Sequence, residues 1–411
     1  MKVKTIYEYG IIKLENEHLK ILDNYKKRIK HNFYDVAYNK VIFKNYVGVL
    51  KVGNLQIEVL PKIDNVLEGE SKLWRDVLVD MLRECSKIKI NTLNFAKLKS
   101  EKKSFFDLYV EPFLNEVKGL KRQGLIKKYH TVEENCKSLK GKLLLTKHLK
   151  KNYINKQYFY VSHNVYDTNN IYNQIIYMAL MAIQEIGINS KSISIINGLL
   201  LDYPYQNNIY IDKNTFDKLI YDRMSIRYKN AISIAKLILL QYQPMLTKGK
   251  EDVIAFMFDM NNLWQEYVKR QLVKVKEITF ESKNSTDFWK IENKINDNTN
   301  RKIIADMLIW TNDNSDKLVL DTKWKLEKNI LNSADLKQMF VYNLYFKCKT
   351  AILLVPAIKT EFICKGPFEK LEGVNVSECI VAGINIIKNG KLNPSLGMEI
   401  YYQLILPSLL N

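Results

Sequence analysis

The chain has 411 residues, of which 47% are hydrophobic and 26% are charged, and its formal net charge is +19. That length allows two or three domains, each with its own core, and the composition argues against wholesale disorder. The longest apolar stretches fall well short of the roughly 20 residues that a membrane span needs, and the amino terminus lacks the apolar region of a secretory signal. We therefore expect a folded cytoplasmic protein with no membrane span.

Strand-like patterns begin the chain, and residues 1–72 are predicted to form a β-rich amino-terminal domain. Two apolar runs, residues 47–52 and 55–60, are joined by Gly53-Asn54 and followed by Pro61. A glycine-containing two-residue connection between such runs is typical of a hairpin. The sequence thus predicts a β-hairpin here.

Helical spacing of apolar residues then takes over, and residues 73–250 are predicted to be a mainly helical, basic region. Apolar residues recur at three and four positions, as on one face of a helix. Helices are predicted within or at residues 73–126, 169–186, 229–240 and 253–275.

The last part of the chain, residues 251–411, changes to an alternation of strands and helices. Polar residues 281–301 are predicted to form a loop or flexible insertion. The order of elements after this loop predicts an α/β domain built around a mixed sheet. Its predicted elements are strands at 303–310 and 317–326, a helix at 334–346, and a buried strand at 351–355 that ends at Pro356.

Positive charge is concentrated in the first part of the chain. Residues 1–250 contain 42 lysines and arginines against 24 aspartates and glutamates, whereas residues 251–411 contain 21 against 20. The densest stretch, from Lys118 to Lys156, is interleaved with tyrosines and is the kind of surface that attracts nucleic-acid phosphates. A solvated lysine-rich face with no ligand is the alternative reading of the same pattern.

Two aspartates and a lysine in the last part of the chain form a candidate site. Asp306 lies in the first predicted strand of a hairpin, and Asp321 and Lys323 lie in the second. Strand alternation places Asp321 and Lys323 on one face, with Thr322 pointing away, and a suitable register would bring Asp306 opposite Asp321. Such a set suits Mg²⁺, which prefers oxygen ligands, and a lysine that orients or activates water. All five histidines precede residue 164, so chemistry here would run without imidazole.

The spacing of Asp321 and Lys323 is by itself weak evidence, because an acidic residue two positions before a lysine also occurs elsewhere in this lysine-rich chain. Only Asp321 follows three apolar residues in a strand whose preceding strand carries a second acid. A hairpin with charged residues on its solvent face remains the alternative to a metal site.

Several ordered motifs resemble the McrC family, nuclease subunits of the McrBC 5-methylcytosine restriction system whose carboxyl-terminal domain has the PD-(D/E)xK nuclease fold. The resemblance covers most of the chain, and the order of the motifs makes it more specific than any one of them. The motifs are Gly48-Val49 with Ile57–Ile63, Arg122–Leu125 before Tyr129, Lys140–Leu143, Asp167–Asn170 with Asn173, Met260–Trp264, and Asp335–Tyr342.

This resemblance implies roles for individual residues. Asp306 and Asp321 would be metal ligands, Lys323 the catalytic lysine, and Gln338 a helix residue beside the site, with Tyr342 one turn further along. In this sequence Ala305 replaces the proline of the motif name.

A second departure concerns the helix that contains Trp264. Gln265 stands where the family has a glutamate directly after the helix aromatic, and Glu266 comes next. Glu266 is an additional candidate for the acidic role. A shift of one position turns a side chain by about 100° on a helix, so a helix-capping or surface role is the alternative.

The resemblance also implies an α+β multidomain chain ending in a PD-(D/E)xK restriction-endonuclease-like domain with a mixed sheet. Its cofactor would be Mg²⁺, or Mn²⁺ in its place. No glycine begins a P-loop, so this chain alone would bind no nucleotide. Its partners would be a McrB-like AAA+ GTPase hexamer and methylated double-stranded DNA. The candidate contacts to DNA or partner are Lys121, Arg122, Lys127, Lys128, Lys140 and Lys142.

Two other functions are compatible with the sequence. The chain could be a non-catalytic activator or docking subunit of an NTPase complex, as the missing helix glutamate suggests. It could also be a stand-alone repair nuclease, which would cut unmethylated DNA without a partner.

Overall fold

The structure is a computed structural model that describes most of the chain. The described residues are 2–29, 31–62, 71–85, 106–187, 190–204, 206, 209, 211–241, 253–289, 301–311, 317–325, 332–358, 360–369 and 376–410. The chain divides into two compact units. Unit 1 comprises Met1–Ile88 together with Phe256–Asn411, and unit 2 comprises Lys89–Ala255.

Strands and helices are distributed along the whole described chain. The strands are β1 Lys2–Tyr7, β2 Ile11–Lys13, β3 Tyr34–Ala37, β4 Lys40–Phe43, β5 Tyr46–Val52, β6 Leu55–Leu60, β7 Lys128–Cys136, β8 Lys142–Leu143, β9 Phe159–Asp167, β10 Val253–Asp259, β11 Ile278–Trp289, β12 Arg301–Thr311, β13 Leu318–Thr322, β14 Thr350–Ala357, β15 Phe362–Pro367, β16 Glu378–Asn385, β17 Ile387–Lys388 and β18 Lys391–Leu392. The helices are α1 Asn16–Ile29, α2 Ser71–Glu84, α3 Asp107–Arg122, α4 Leu145–Asn152, α5 Ile171–Ile186, α6 Ser190–Leu201, α7 Lys213–Asp217, α8 Lys229–Gln241, α9 Met260–Leu272, α10 Ser333–Phe346, α11 Leu396–Ile400 and α12 Leu406–Leu410, with a 3-10 turn at Ile226–Tyr228 and a π-helical turn at Tyr401–Ile405. In the part of the chain that is described, no helix has the length and apolar character of a membrane span.

The predicted amino-terminal hairpin is confirmed. β5 and β6 pair antiparallel across Gly53-Asn54, β1 adds to β6 in parallel, and the sheet order is β1-β6-β5-β10. Gly48 has a φ of +134°, and a Cβ built there would lie 1.9 Å from the carbonyl oxygen of Phe256. Only glycine allows the backbone to come this close, which explains the glycine in the sheet interior.

A six-stranded mixed sheet forms the second half of unit 1, as the sequence predicted. Its order is β11-β12-β13-β14-β16-β15. β11, β12 and β13 run antiparallel, β13, β14 and β16 run parallel, and β15 closes the edge antiparallel to β16. β14 is buried along its whole length. Such continuous burial is expected of a central strand that is covered on both faces. α10 packs on β13 and β14 over a core that includes Val319, Met339 and Leu353.

Three element predictions in this region are wrong in part. The strand predicted for 317–326 ends at Thr322. The helix predicted for 253–275 begins only at Met260, because the Asp259 side chain accepts a hydrogen bond from the Asn262 backbone N–H and caps it. The preceding residues form β10. The first residues of the loop predicted at 281–301 belong to β11, where pairing with β12 satisfies their backbone. The rest of that loop, 290–300, lies outside the described residues.

The domain boundaries predicted from sequence differ from the compact units. The sequence predicts separate domains for residues 1–72 and 251–411, yet nearly all of both lie in unit 1. The physical reason is direct contact: the Met260 N–H donates to Asn45 O at 2.9 Å, and Asn45 Nδ2 donates to Asp259 Oδ2 at 2.8 Å. Contacts between residues so far apart in sequence leave no local pattern.

Unit 2 combines helices with a small antiparallel sheet of order β7-β9-β8, so it is less purely helical than predicted. The Asn170 side chain caps α5 by accepting a hydrogen bond from the Asn173 N–H. Asn173 is fully buried; its Nδ2 donates to Ile126 O at 2.9 Å and to Thr168 O at 2.8 Å, and its Oδ1 accepts from Tyr228 Oη at 2.8 Å. The motif that contains these asparagines therefore organises the core of unit 2.

Replacing Asn173 by alanine is expected to lower the free energy of unfolding by about 3 kcal/mol, because three hydrogen bonds of a fully buried side chain are lost. Urea unfolding monitored by circular dichroism measures this change. Asn197→Ala is the matched control, since Asn197 accepts a single exposed hydrogen bond from Gln184. Equal effects of the two substitutions would contradict the structural role assigned to Asn173.

Candidate functional site

The two aspartates of the candidate site lie opposite each other in unit 1. β12 pairs antiparallel with β13 through Met307↔Leu320, Leu308↔Val319 and Ile309↔Leu318. Continuing this register by one pair places Asp306 opposite Asp321. Side chains of directly opposed residues point to the same face of a sheet. Continued in this way, the register sets the two carboxylates on one face, as the sequence predicted, and the charge of Asp306 acts on Asp321.

The Asp306 carboxylate is held by three hydrogen bonds. Its Oδ2 accepts from both the backbone N–H and the hydroxyl of Thr322, each at 2.9 Å. Its Oδ1 accepts from Gln265 Nε2 at 2.6 Å. The sequence predicts that Thr322 points away from the site, but Thr322 contacts Asp306. At this position β12 and β13 no longer pair through their backbones, so the Thr322 N–H donates to the Asp306 carboxylate instead. These bonds fix the orientation of Asp306.

Asp321 and Lys323 form an ion pair, although β13 ends at Thr322 and Lys323 lies beyond it, whereas the sequence predicted both residues in one strand. Lys323 Nζ lies 2.9 Å from Asp321 Oδ2; the aspartate side chain is 2% exposed and the lysine side chain 25% exposed. Burial, and next the charge of Asp306, raise the pKa of Asp321 to about 6 although Lys323 opposes the change. Burial lowers the pKa of Lys323, but the neighbouring carboxylates, Asp321 first, together outweigh it, so the net shift is upward. The ion pair thus holds the partly exposed Lys323 ammonium group beside the buried Asp321 carboxylate.

Gln338 lies near these residues but bonds to a tyrosine. Gln338 Nε2 donates to Tyr342 Oη at 2.6 Å, and this hydroxyl donates to Ile304 O at 2.6 Å. Burial, followed by the charge of Asp321, raises the pKa of Tyr342 above its usual range. Through these bonds α10 is fixed to β12 two residues before Asp306.

Glu266 and Gln265 take different directions from α9. Glu266 Oε1 accepts from Arg270 Nε at 3.0 Å, one turn along the helix. Gln265, its neighbour, is the side chain that reaches Asp306. Asn261 lies one turn before Gln265 and accepts from the Trp324 N–H at 3.0 Å. Sequence reasoning assigned no contact to Gln265; the signal available was its position directly after the helix aromatic, where the resembling family carries a glutamate.

The donor set of the site fits a hard divalent cation. Within the described ranges no group of three or more His, Cys, Asp and Glu side chains has the arrangement of a metal cage. Two carboxylates are sufficient for Mg²⁺, which keeps several waters and binds through one or two carboxylates plus substrate phosphate. Asp321 Oδ2 is buried and, among the residues that the structure describes, makes no hydrogen bond beyond its ion pair with Lys323. Asp306 and Asp321 would therefore hold the ion, with Mn²⁺ as the natural substitute.

The basic residues singled out in unit 2 lie in two environments. Lys121 pairs with Asp202 at 3.0 Å, and Lys128 pairs with Asp222 at 2.9 Å. The other four are exposed: Arg122, Lys127, Lys140 and Lys142. Lys140 and Lys142 flank Gly141, whose φ is +66°. The exposed group is available to a polyanion, whereas the paired lysines are partly neutralised.

Comparison with known proteins gives a consistent result. The family model of the McrBC 5-methylcytosine restriction system component matches residues 41–356. A search of curated proteins finds no match. One similar solved structure is the refined half-complex from a tetradecameric assembly of Thermococcus gammatolerans McrB AAA+ hexamers with bound McrC. The matching chain is 17% identical in sequence, with a TM-score of 0.68. The alignment covers 98% of the present chain and 100% of the matching chain.

A second solved structure, the cryo-EM structure of the Thermococcus gammatolerans McrBC complex, is 19% identical with a TM-score of 0.48, covering 66% of this chain and 88% of its own. The identities are low, so the first structure supports the mixed α/β fold alone. The family match spans well over half of the sequence, and this protein therefore belongs to the family of McrBC 5-methylcytosine restriction system components.

Proposed function

We propose that this protein is the Mg²⁺-dependent DNA endonuclease subunit of a McrBC-like, modification-dependent restriction complex. The observation that carries the proposal is the convergence of Asp306, Asp321 and Lys323. The β12–β13 register, continued by one pair, supports it by setting Asp306 opposite Asp321, and Lys323 Nζ lies 2.9 Å from Asp321 Oδ2. Two acids and an amine with a mixed sheet behind them are suited to phosphodiester hydrolysis.

Each residue has a distinct task in this reaction. The bound cation would stabilise the charge that develops on the phosphate and help to generate the attacking hydroxide. Asp306 and Asp321 hold that cation, and the three hydrogen bonds on Asp306 keep its carboxylate from turning. Lys323 orients or activates the attacking water and donates hydrogen bonds to phosphate oxygens. Burial of Asp321 excludes bulk water from its side of the site.

A separate motor would supply recognition and movement along DNA. The sequence has no P-loop, and the similar Thermococcus gammatolerans structure contains McrC bound to McrB AAA+ hexamers. We extend this arrangement to the present chain: it binds a McrB-like AAA+ GTPase hexamer, stimulates its GTP hydrolysis, and cuts methylated double-stranded DNA. The exposed basic residues of unit 2 are our candidates for contacts with DNA or the partner. Lys121 and Lys128, which are paired with aspartates, are further candidates.

Removal of the divalent ion tests whether cleavage depends on it, and GTP hydrolysis is followed alongside because the GTPase also uses Mg²⁺. With partner, GTP and methylated DNA present, we expect EDTA to abolish cleavage and excess Mg²⁺ or Mn²⁺ to restore it, because two carboxylates cannot activate water alone. Gel electrophoresis of the DNA measures cleavage, and phosphate release measures GTP hydrolysis. DNA without methylation is the control substrate.

A second candidate function is a non-catalytic activator of the GTPase. One observation favours it: Gln265, a neutral amide, contacts Asp306 where the resembling family carries an acid. The same experiment separates the two functions. Stimulated GTP hydrolysis without cleavage under Mg²⁺ or Mn²⁺ would support the activator, and cleavage of unmethylated DNA without partner would support a stand-alone nuclease.

A further inference from the structure

The segment that carries Lys323 lies beyond the end of its strand. β13 ends at Thr322, and the Lys323 N–H donates to Leu354 O at 3.0 Å as the last backbone bond to the neighbouring β14. The position of the ammonium group therefore depends on what holds the next residues. A displacement of about 1 Å in a catalytic group can cost about 100-fold in rate, so this anchorage matters for the chemistry.

Trp324 is the anchor that follows Lys323. Its side chain is 5% exposed, and its ring lies edge-on to Trp264 with centroids 5.9 Å apart. Its backbone N–H donates to Asn261 Oδ1 at 3.0 Å, and its indole Nε1 donates to Glu8 Oε1 at 2.7 Å. Main chain and side chain are thus fixed by separate partners.

Glu8 is an unusual group for the place that it occupies. It follows β1, is 1% exposed, and its Oε1 also accepts from the Lys62 N–H at 2.8 Å. Its Oε2 is buried without a hydrogen bond among the described residues, and burial raises the pKa of Glu8 to about 7. A buried carboxyl with an unsatisfied oxygen lowers stability. Features that lower stability tend to persist where function requires them.

We propose that Glu8 is a positioning residue for the catalytic centre: by binding the indole of Trp324 it fixes the strand end that presents Lys323. This inference rests on the proposed nuclease function and deepens it. Glu8 acts through Trp324 and touches no reacting atom. The amino-terminal sheet thereby becomes part of the catalytic apparatus.

Three variants of the full chain, assayed with the GTPase partner, test this inference. Glu8→Ala removes the acceptor, Trp324→Phe removes the indole N–H but keeps an aromatic ring, and Glu8→Gln keeps an oxygen that accepts both bonds. We expect the first two to lower the cleavage rate at saturating DNA about 10-fold or more. The DNA concentration for half-maximal rate should not change, and Glu8→Gln should retain most of the parent rate.

Glu399→Ala is the matched control, because it also removes a carboxylate that accepts several hydrogen bonds. Glu399 accepts hydrogen bonds from Lys388, Asn393 and Ser395, all in the carboxyl-terminal segment. It should lower the thermal unfolding temperature and leave the cleavage rate of the folded protein as in the parent. A loss of cleavage in Glu8→Ala that Glu8→Gln does not rescue would overturn the inference.

Fluorine NMR provides a measurement that does not depend on cleavage. Uniform 5-fluorotryptophan labels the five tryptophans, and Trp324→Phe identifies the resonance of Trp324. We expect this resonance to shift or broaden in Glu8→Ala and to stay near its parent position in Glu8→Gln. An unchanged resonance in Glu8→Ala would overturn the inference even if the nuclease assignment holds. If the parent never cuts DNA, the proposed function fails, and the spectrum still decides whether Glu8 places the strand end.

Discussion

Asp321→Asn is expected to abolish DNA cleavage, with a loss of about 1,000-fold or more, equivalent to about 4 kcal/mol of transition-state stabilisation. Asp321 is almost completely buried, lies opposite Asp306 and pairs with Lys323. The amide keeps the shape of the side chain but removes the charge that would hold a divalent cation. Cleavage of methylated DNA with the GTPase partner present, followed on gels over time, measures the effect.

Two controls separate loss of chemistry from loss of structure. The free energy of unfolding of Asp321→Asn should change little compared with the loss of cleavage, because the substitution is isosteric and the raised pKa of Asp321 shows that the folded site disfavours its charged form. Asp23→Asn removes a partly exposed carboxylate that pairs with Lys27 in α1, and it should cut DNA as the parent does. Cleavage by Asp321→Asn at the parent rate would show that the site has been assigned to the wrong residues.

Lys323→Met is expected to reduce cleavage by about 100-fold or more while divalent-ion binding persists, because the variant keeps the two carboxylates and an unbranched side chain. The reason is the loss of a cation at the partly open side of the site. Lys323→Arg should rescue poorly, since a planar guanidinium does not reproduce the compact ammonium. Single-turnover cleavage and calorimetric titration with Mn²⁺ measure the two quantities separately.

Lys325 offers a matched control for this lysine. It lies two residues further along the chain and pairs with Asp335 instead of Asp321. Lys325→Met should change cleavage only a few-fold, because the Lys325–Asp335 pair has a structural role and such ion pairs contribute little. Equal losses in Lys323→Met and Lys325→Met would indicate a general electrostatic effect and would contradict a specific role for Lys323.

The sequence predicted the part of the site that depends on local pattern. Asp306 and Asp321 lie in strands that follow one another, so alternation and hairpin register determine their mutual position. The carboxyl-terminal mixed sheet was predicted for the same reason. Family resemblance added Gln338 to the candidate residues, and in the structure its side chain donates a hydrogen bond to Tyr342 near the site.

The contacts that hold the site in place were not predictable from such patterns. The hydrogen bond from Gln265 to Asp306 joins α9 to β12. The hydrogen bond from Trp324 to Glu8 joins residues more than 300 positions apart. β10 was mistaken for helix because an apolar run beside a helix satisfies both periodicities, and only its pairing in the amino-terminal sheet distinguishes them. Polar residues 281–289 read as loop since their strand character comes from pairing with β12.

The discontinuous make-up of unit 1 has a consequence for how the polypeptide leaves the ribosome. Its amino-terminal strands emerge first, yet the sheet β1-β6-β5 gains its fourth strand only after the whole of unit 2 has been made. At about 5 to 20 residues per second, that delay is on the order of ten seconds or more. During this interval Glu8 has no Trp324 to bind, and the nascent chain carries neither Asp306 nor Asp321. If the proposed nuclease function holds, translation itself would withhold the cutting activity from the chromosome until the last third of the polypeptide is available.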